Sequence, residues 1–334
     1  MSHLPADSPA SAVSGLEPQL GGADASLLSG FEPLLGGSRR APADLRRVQA
    51  VINAAAPADR QRVLDEVTRL GQARLYAEEL AQVVPARARQ KTGSWRGTFT
   101  PSQRVNALLA LALIGSYESI APLVEALSDA VYEVRTAAAA ALRTICARLE
   151  PDDRRTRIVY RALVDALRLL PLDARKVVAR ILAAAPPDLV LGALLRDGLG
   201  AGEWWARREA AWVLGVLGDA RATRALIDAL RDPSTAVRAS AAWALGQLDA
   251  PPALAPLDAA SRDPDEVVRA AAVEALGAHA ARRSPLEPDY HAALERIIEA
   301  LRDYDLGVRH AAFDALAALD SPQVRQLLAP LRRR

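Results

Sequence analysis

An arginine followed seven residues later by a leucine opens an alanine-rich segment seven times in this chain. The pairs are Arg104/Leu111, Arg135/Leu142, Arg175/Leu182, Arg207/Leu214, Arg238/Leu245, Arg269/Leu276 and Arg309/Leu316. Successive arginines stand 31, 40, 32, 31, 31 and 40 residues apart. A period near 31 residues, with room for two helical segments in each unit, is the signature of stacked helical hairpins. The two long steps carry extra residues around "LEPDDRRTR" and "AARRSPLEPDY". Neither helix of such a unit can bury its apolar face alone, so neighbouring units must supply the core. Aromatics make up only 4% of the 334 residues. The core must therefore come from Ala, Leu and Val, a composition that suits close-packed helices better than sheets.

One unit shows the layout: "DAPPALAPLDAASRDPDEVVRAAAVEALGAH", residues 249–279. A first helix is expected over 254–261. It is closed by "RDPDE", where Asp and Pro make a turn that a helix cannot continue through. A second helix is expected from Val267 to near Gly277, since glycine commonly closes a helix.

"LRDPSTAVRASAAWALGQLDAPPALAPL" resembles the HEAT repeat, in particular the HEAT-like repeats of phycobilisome lyase subunits. The resemblance covers about 101–334. It implies an all-α, right-handed α-solenoid of about seven helical hairpins, with the second helix of each hairpin on the concave side. It also implies a ladder of hydrogen bonds between repeats, made by an Asp at the turn and the Arg that opens the second helix. The matching residues are Asp129/Arg135, Asp232/Arg238, Asp263/Arg269 and Asp303/Arg309, each six apart. Leu169 stands at that offset from Arg175, and the Asp nearest before Arg207 is Asp197, so the ladder is incomplete in the third and fourth units. These arginines are read as structural.

The first hundred residues divide in two. Residues 1–40 are rich in Gly, Ser, Pro and Ala and are expected to form a disordered tail. Within it "SGLEPQLGG" (14–22) is followed by "SGFEPLLGG" (29–37), which reads as a duplicated linear motif with anchors Leu16, Glu17, Pro18 and Leu20, then Phe31, Glu32, Pro33, Leu34 and Leu35. Residues 41–100 are expected to hold two helices that cap the solenoid, followed by a basic loop, "ARARQKTGSWRGTFTP".

Comparing the seven second helices position by position separates packed from exposed residues. The positions three, four and six after the Arg are almost all apolar. The position five after it reads Leu109, Ala140, Arg180, Trp212, Trp243, Glu274 and Asp314. A position that accepts charge in three units does not face the core. With the resemblance, this series lines the inner surface, where Trp212 and Trp243 sit on consecutive repeats beside Lys176, Arg208 and Gln247. Aromatics with an adjacent Arg make a hot spot for a protein segment. The alternative is that both tryptophans fill space between helices. Trp204 and Trp205, in "GEWWARREAAW", are placed in the turn before the next helix, one packing and one exposed at the rim.

Other chemistry is sparse. The single cysteine, Cys146, excludes an intrachain disulfide and reads as a small buried hydrophobe. The four histidines show no metal-ligand spacing, so no metal site or cofactor is expected and no residue is assigned a catalytic role. The start lacks a basic stretch leading into an apolar core, and no apolar run approaches the roughly 20 residues of a membrane helix. A soluble, cytoplasmic protein is expected. With 42 basic and 40 acidic side chains the net charge of +2 does not by itself point to nucleic acid.

The reading that follows is a non-enzymatic scaffold, adaptor or assembly factor. It would bind a protein partner, multimeric in the tail's case, on its concave face and through the doubled motif. Two alternatives stay open. One is a nucleic-acid binder similar to the HEAT-like DNA glycosylases, using the tryptophans for stacking and Arg154, Arg155, Arg157 and the 87–96 loop for phosphates. The other is a chromophore-lyase or chaperone subunit.

Overall fold

The protein is seen in a computed structural model that describes residues 117–319, together with Pro101, Arg104, Val105, Leu108, Leu111, Ala112 and Gly115. The tail motifs, the capping helices, the basic loop and Leu109 lie outside the described residues. The described residues form twelve α-helices and several short helical turns, and no strand occurs among them. The chain divides into two units, one ending at Ile145 and one beginning at Cys146.

The first unit contains α1 (Ile120–Ala126), entered through a tight turn at Tyr117–Ser119, and α2 (Tyr132–Cys146), whose last residue meets the boundary. Ile120, Leu123 and Ala126 of α1 are buried, as are Val134, Ala138, Leu142 and Ile145 of α2. Leu108 and Leu111 are buried with them. The leucines seven places after Arg104 and Arg135 are thus both core residues.

The second unit is a row of hairpins. Its helices are α3 (Arg154–Ala166), α4 (Leu172–Ala183), α5 (Pro187–Ala193), α6 (Trp204–Leu217), α7 (Thr223–Ala229), α8 (Thr235–Gln247), α9 (Leu254–Ala260), α10 (Glu266–Ala281), α11 (Pro288–Ala300) and α12 (Leu306–Ala318). The second helices form one continuous row in which α4 packs on α6, α6 on α8, α8 on α10 and α10 on α12. The first helices pack against their own partners, α7 on α8, α9 on α10 and α11 on α12. Leu182, Leu214, Leu245, Leu276 and Leu316, all seven residues after the arginine, are fully buried between these layers. The Arg-to-Leu spacing of two helical turns carries the chain from the turn edge into the core.

The helix starts follow local chemistry. Asp153, Asp265 and Asp305 each accept a hydrogen bond from a backbone N–H of the first turn, at 2.8, 3.0 and 3.1 Å. Gly218 ends α6 in the left-handed conformation at φ 65°, where a side chain would be strained. Gly277 does not end its helix as the sequence suggested. α10 runs four residues past it to Ala281, because Gly277 serves packing instead: a Cβ there would lie 2.7 Å from Ala315 Cβ on α12. The same close approach recurs at Gly215 and Gly246, eight residues after their arginines. Cβ atoms there would lie 2.7 Å from the Cα of Ala244 and Ala275. A glycine on one helix facing an alanine on the next therefore lets α6, α8, α10 and α12 pack closely.

Cys146 is buried, and that burial pushes its thiol up to about 12.

Candidate functional site: the tryptophan face

The ladder at the turn edge comes first, because it sets how successive helices are aligned. Arg207 donates from Nε and Nη2 to both oxygens of Asp232, at 2.6 and 2.9 Å. Arg238 does the same to Asp263 at 2.8 and 2.9 Å, and Arg269 to Asp303 at 2.8 and 3.0 Å. In the first unit Arg104 reaches Asp129 at 3.1 Å. Each arginine therefore pairs with the aspartate of the following repeat, 25 residues on, or 34 where the insertion intervenes. The aspartate six residues before an arginine offers it only a backbone carbonyl, as in the bonds from Arg238 Nη1 to Asp232 O at 3.1 Å and from Arg309 Nη1 to Asp303 O at 2.8 Å. The six-residue pairs expected from the resemblance are thus ladder members, but their side chains do not pair with each other. The carboxylates also accept from the backbone N–H two residues on, at Ser234, Asp265 and Asp305. Burial alone would raise Asp232, Asp263 and Asp303, but the facing guanidinium and this N–H outweigh it and hold each below its ordinary value.

The ladder lapses where aspartate is missing. Leu169 and Ala201 stand six residues before Arg175 and Arg207, and Leu169 is 87% exposed. Arg175 donates to Leu170 O at 2.9 Å, its buried Nε has no partner, and its guanidinium lies 5.5 Å from the ring centre of Trp205. An aromatic face thus takes the place of the carboxylate. Asp197 belongs to a different pair, 3.2 Å from Arg161, on the π-helical turn Leu194–Gly198 that follows α5.

Trp204 and Trp205 are the first two residues of α6 and not part of the turn before it. Trp205 is half-buried, donates from Nε1 to Arg168 O at 3.2 Å and meets Trp204 edge-on at 5.8 Å. Trp204 is exposed.

The position five after each arginine forms a separate register on the row of second helices. Around it, Ala210, Ala211 and Val213 on α6 are buried, as are Ala241, Ala242 and Ala244 on α8 and Ala272, Val273 and Ala275 on α10. Trp212 and Trp243 are half-buried and lie parallel, ring centres 6.3 Å apart and planes 10° from each other. They neither fill the core nor stand free. The seam explains their contact: a Cβ on Gly215 would be 2.8 Å from Cζ3 of Trp243, so glycine on α6 leaves the space that the indole of α8 occupies.

The charged members of the register flank this stack. Lys176 and Arg180 on α4 are exposed. Glu274 on α10 and Asp314 on α12 are exposed and line a shallow groove of about 300 Å³ floored by Gly277, Ala278, Ala311 and Ala315. Loss of solvent around its carboxyl, and then the charge of Asp314, hold Glu274 above its ordinary value. Arg208 is half-buried and bonded to Glu209, whose carboxylate is buried beneath it, while Gln247 is exposed at the end of α8. Ala140 is the half-buried counterpart in the first unit. Among the described residues no three His, Cys, Asp or Glu side chains gather to hold a metal, and His279 is buried and lowered by that burial, then by Arg283 and Arg282. No described helix is long and apolar enough to cross a membrane.

The fold and its ladder define an α-solenoid of HEAT-type hairpins. The family model for HEAT repeats matches residues 190–277 and 257–334, that for a HEAT repeat matches 120–149, and that for a PBS lyase HEAT-like repeat matches 103–129. The repeat region is made of HEAT repeats. No curated protein matches the chain by sequence. Among solved structures, Kap95p in its complex with RanGDP is 16% identical with a TM-score of 0.51, over 92% of this chain and 45% of that one. The structure of the CpcE–CpcF complex of phycocyanin lyase from Nostoc sp. PCC7120 matches at 24% identity and TM-score 0.43, over 47% of this chain and 98% of that one. A designed armadillo repeat protein in complex with the peptide (KR)4 matches at 21% and 0.36, over 72% and 98%. The likeness to Kap95p bears on the fold alone.

Proposed function

We propose that this protein is a non-enzymatic interaction scaffold, adaptor or assembly factor that grips a protein partner on the face carrying Trp212 and Trp243. The observation behind this reading is the half-exposed, parallel tryptophan pair, flanked in its register by Arg180 on one side and Glu274 and Asp314 on the other. A stacked pair gains about 0.5–1.5 kcal/mol beyond its burial and still offers a broad apolar contact. Trp204 at the start of α6 supplies a second contact. The doubled SGxEPxLGG motif adds a tether: two copies fifteen residues apart, bound to adjacent sites on a multimeric partner, raise retention well beyond either copy alone.

Affinity purification with the full chain, alongside full-length W212A/W243A, tests the reading. The partner recovered with the wild type is expected to be lost with the variant while circular dichroism shows helical content unchanged and the melt stays cooperative, at a moderately lower temperature. Retention of the same partner by the variant overturns it. A salt titration with mixed-sequence DNA is expected to show no binding at low salt. Strong, steeply salt-dependent binding would favour the nucleic-acid reading instead.

A further inference from the structure

The register five after each arginine changes chemistry in one direction along the row of second helices. It is cationic at Arg180 on α4, aromatic at Trp212 and Trp243 on α6 and α8, and anionic at Glu274 and Asp314 on α10 and α12. Lys176, one turn before Arg180, strengthens the cationic end. Val216, one turn after Trp212, is 40% exposed and widens the apolar centre. Arg207, Arg238 and Arg269 already hold carboxylates at the turn edge, whereas Lys176, Arg180, Glu274 and Asp314 make no ion pair among the described residues. Glu274 and Asp314 instead repel each other across their groove. Unpaired charges of opposite sign at the two ends of an apolar centre complement an occupant that brings the opposite charges in the same order.

The spacing narrows the occupant. α4 and α6 are packed neighbours, as are α8 and α10, and such helices stand about 8–10 Å apart. Between them the two indole ring centres are 6.3 Å apart. An extended chain returns to one face every second residue, about 6.6 Å on, so apolar side chains on alternate residues match the two indoles. Charged side chains then belong about three positions outside that pair, which sets the acidic and basic residues about eight positions apart. A helix rises only about 1.5 Å per residue and would need about 15 residues to cover the same stretch. Ala211 and Val213 beside Trp212, and Ala242 and Ala244 beside Trp243, are buried, so the strip around each indole is narrow and suits an extended chain.

Resting on the proposed role of this face in binding, we infer that its occupant is an extended segment of a partner protein in which an acidic residue, two alternate apolar residues and a basic residue follow in that order, in either chain direction. The acidic residue meets Lys176 and Arg180, and the apolar pair lies across Trp212 and Trp243. The basic residue enters the groove between Glu274 and Asp314 and relieves their repulsion. The ends of the register thus select charge, and its centre supplies apolar contact.

Fluorescein-labelled synthetic nonapeptides, titrated by anisotropy against the full-length protein, test the assignment, and they are too short to cover the register as helices. The wild type is expected to bind EGSLPLSGR about tenfold or more tightly than LGSEPRSGL, which has the same composition with its charges at the centre. Full-length K176E/R180E is expected to lose EGSLPLSGR by about tenfold and to gain RGSLPLSGR, while E274R/D314R is expected to lose it and gain EGSLPLSGE. Loss of folding cannot produce that exchange. Full-length R224E/R231E, which makes the same change in net charge at exposed arginines outside the register, is expected to bind all the probes as the wild type does. Equal binding of EGSLPLSGR and LGSEPRSGL by the wild type, or the same exchange of probes with R224E/R231E, overturns the proposal. Turned end for end, the register also complements itself. A dimer in sedimentation velocity that K176E/R180E dissolves would therefore assign the face to a second copy and overturn the proposal as well. A partner that is lost with W212A/W243A, while the wild type does not distinguish the probes, overturns this charge order and leaves the broader reading standing.

Discussion

Arg238 holds Asp263 through two parallel hydrogen bonds, 2.8 Å from Nε and 2.9 Å from Nη2, while its Nη1 reaches back to the carbonyl of Asp232 at 3.1 Å. One guanidinium thereby joins two turns, and with them the helices α8 and α10 that carry Trp243 and Glu274. Both side chains of the pair are largely buried, at 14% and 11% exposure, so an unpaired remnant would be costly.

Replacing Arg238 with Ala is expected to destabilise the protein by about 2–3 kcal/mol, because the Asp263 carboxylate is left without its partner. Arg238→Lys is expected to recover only part of this, since an ammonium cannot match the two-pronged geometry. R238M/D263L is expected to lose less than the sum of its single changes. Urea denaturation of these variants, of the single changes R238M and D263L, and of the wild type measures these differences.

The glycine–alanine seam makes Gly246→Ala destabilising by about 1–3 kcal/mol, although alanine is the better helix former by about 1 kcal/mol. The new Cβ would sit 2.7 Å from the Cα of Ala275, and backbone cannot move aside cheaply. Gly218→Ala, where nothing lies within 4 Å but φ is 65°, is expected to cost about 1 kcal/mol from backbone strain alone. Thermal melts of the two variants separate crowding from strain. A stabilised Gly246→Ala would mean that the helices are not in such close contact.

Trp→Ala substitutions in a full core cost about 3–5 kcal/mol. Trp212 and Trp243 are half-exposed, so each single replacement is expected to cost less than about 2 kcal/mol and to leave helical content unchanged. A cost of 4 kcal/mol or more for either, measured by urea denaturation at the order of magnitude set for buried aromatics, would return the pair to the core.

Acid is expected to unfold the protein through the ladder. Asp232, Asp263 and Asp303 are held below the ordinary value of 3.8, so in this range the unfolded chain binds protons more readily than the folded one. The stability they supply is complete above about pH 5 and falls as pH drops through 3.8 and toward their lowered values. Asp263→Asn is expected to be less stable at neutral pH and to show a shallower loss between about pH 5 and 3. Urea midpoints measured across that range give the slope.

The Cys146 thiol, buried and raised to about 12, is expected to resist a water-soluble disulfide reagent at pH 8 in the native state. It should react promptly once the protein is unfolded in guanidinium. Rapid native labelling would show that the end of α2 opens readily.

The helical repeat, the buried leucines and the exposure of Arg180, Glu274 and Asp314 were legible in the residue pattern. Each depends on helical period, and a position that meets the same surroundings in every repeat accumulates the same kind of residue. The series Arg180, Trp212, Trp243, Glu274, Asp314 could be picked out as outward-facing for that reason. Which residues meet across repeats was not legible. Asp263 stands six residues from Arg269 yet gives its carboxylate to Arg238, twenty-five residues earlier. Gly277 has the chemistry of a helix end yet lies inside α10, where it makes room for Ala315. Trp205 replaces a missing aspartate over Arg175, a substitution that no spacing announces. Period within a repeat is a local property of the chain, encoded by which face must leave water. Contact between repeats depends on how far one hairpin is shifted and turned against the next, and only the packed structure sets that offset.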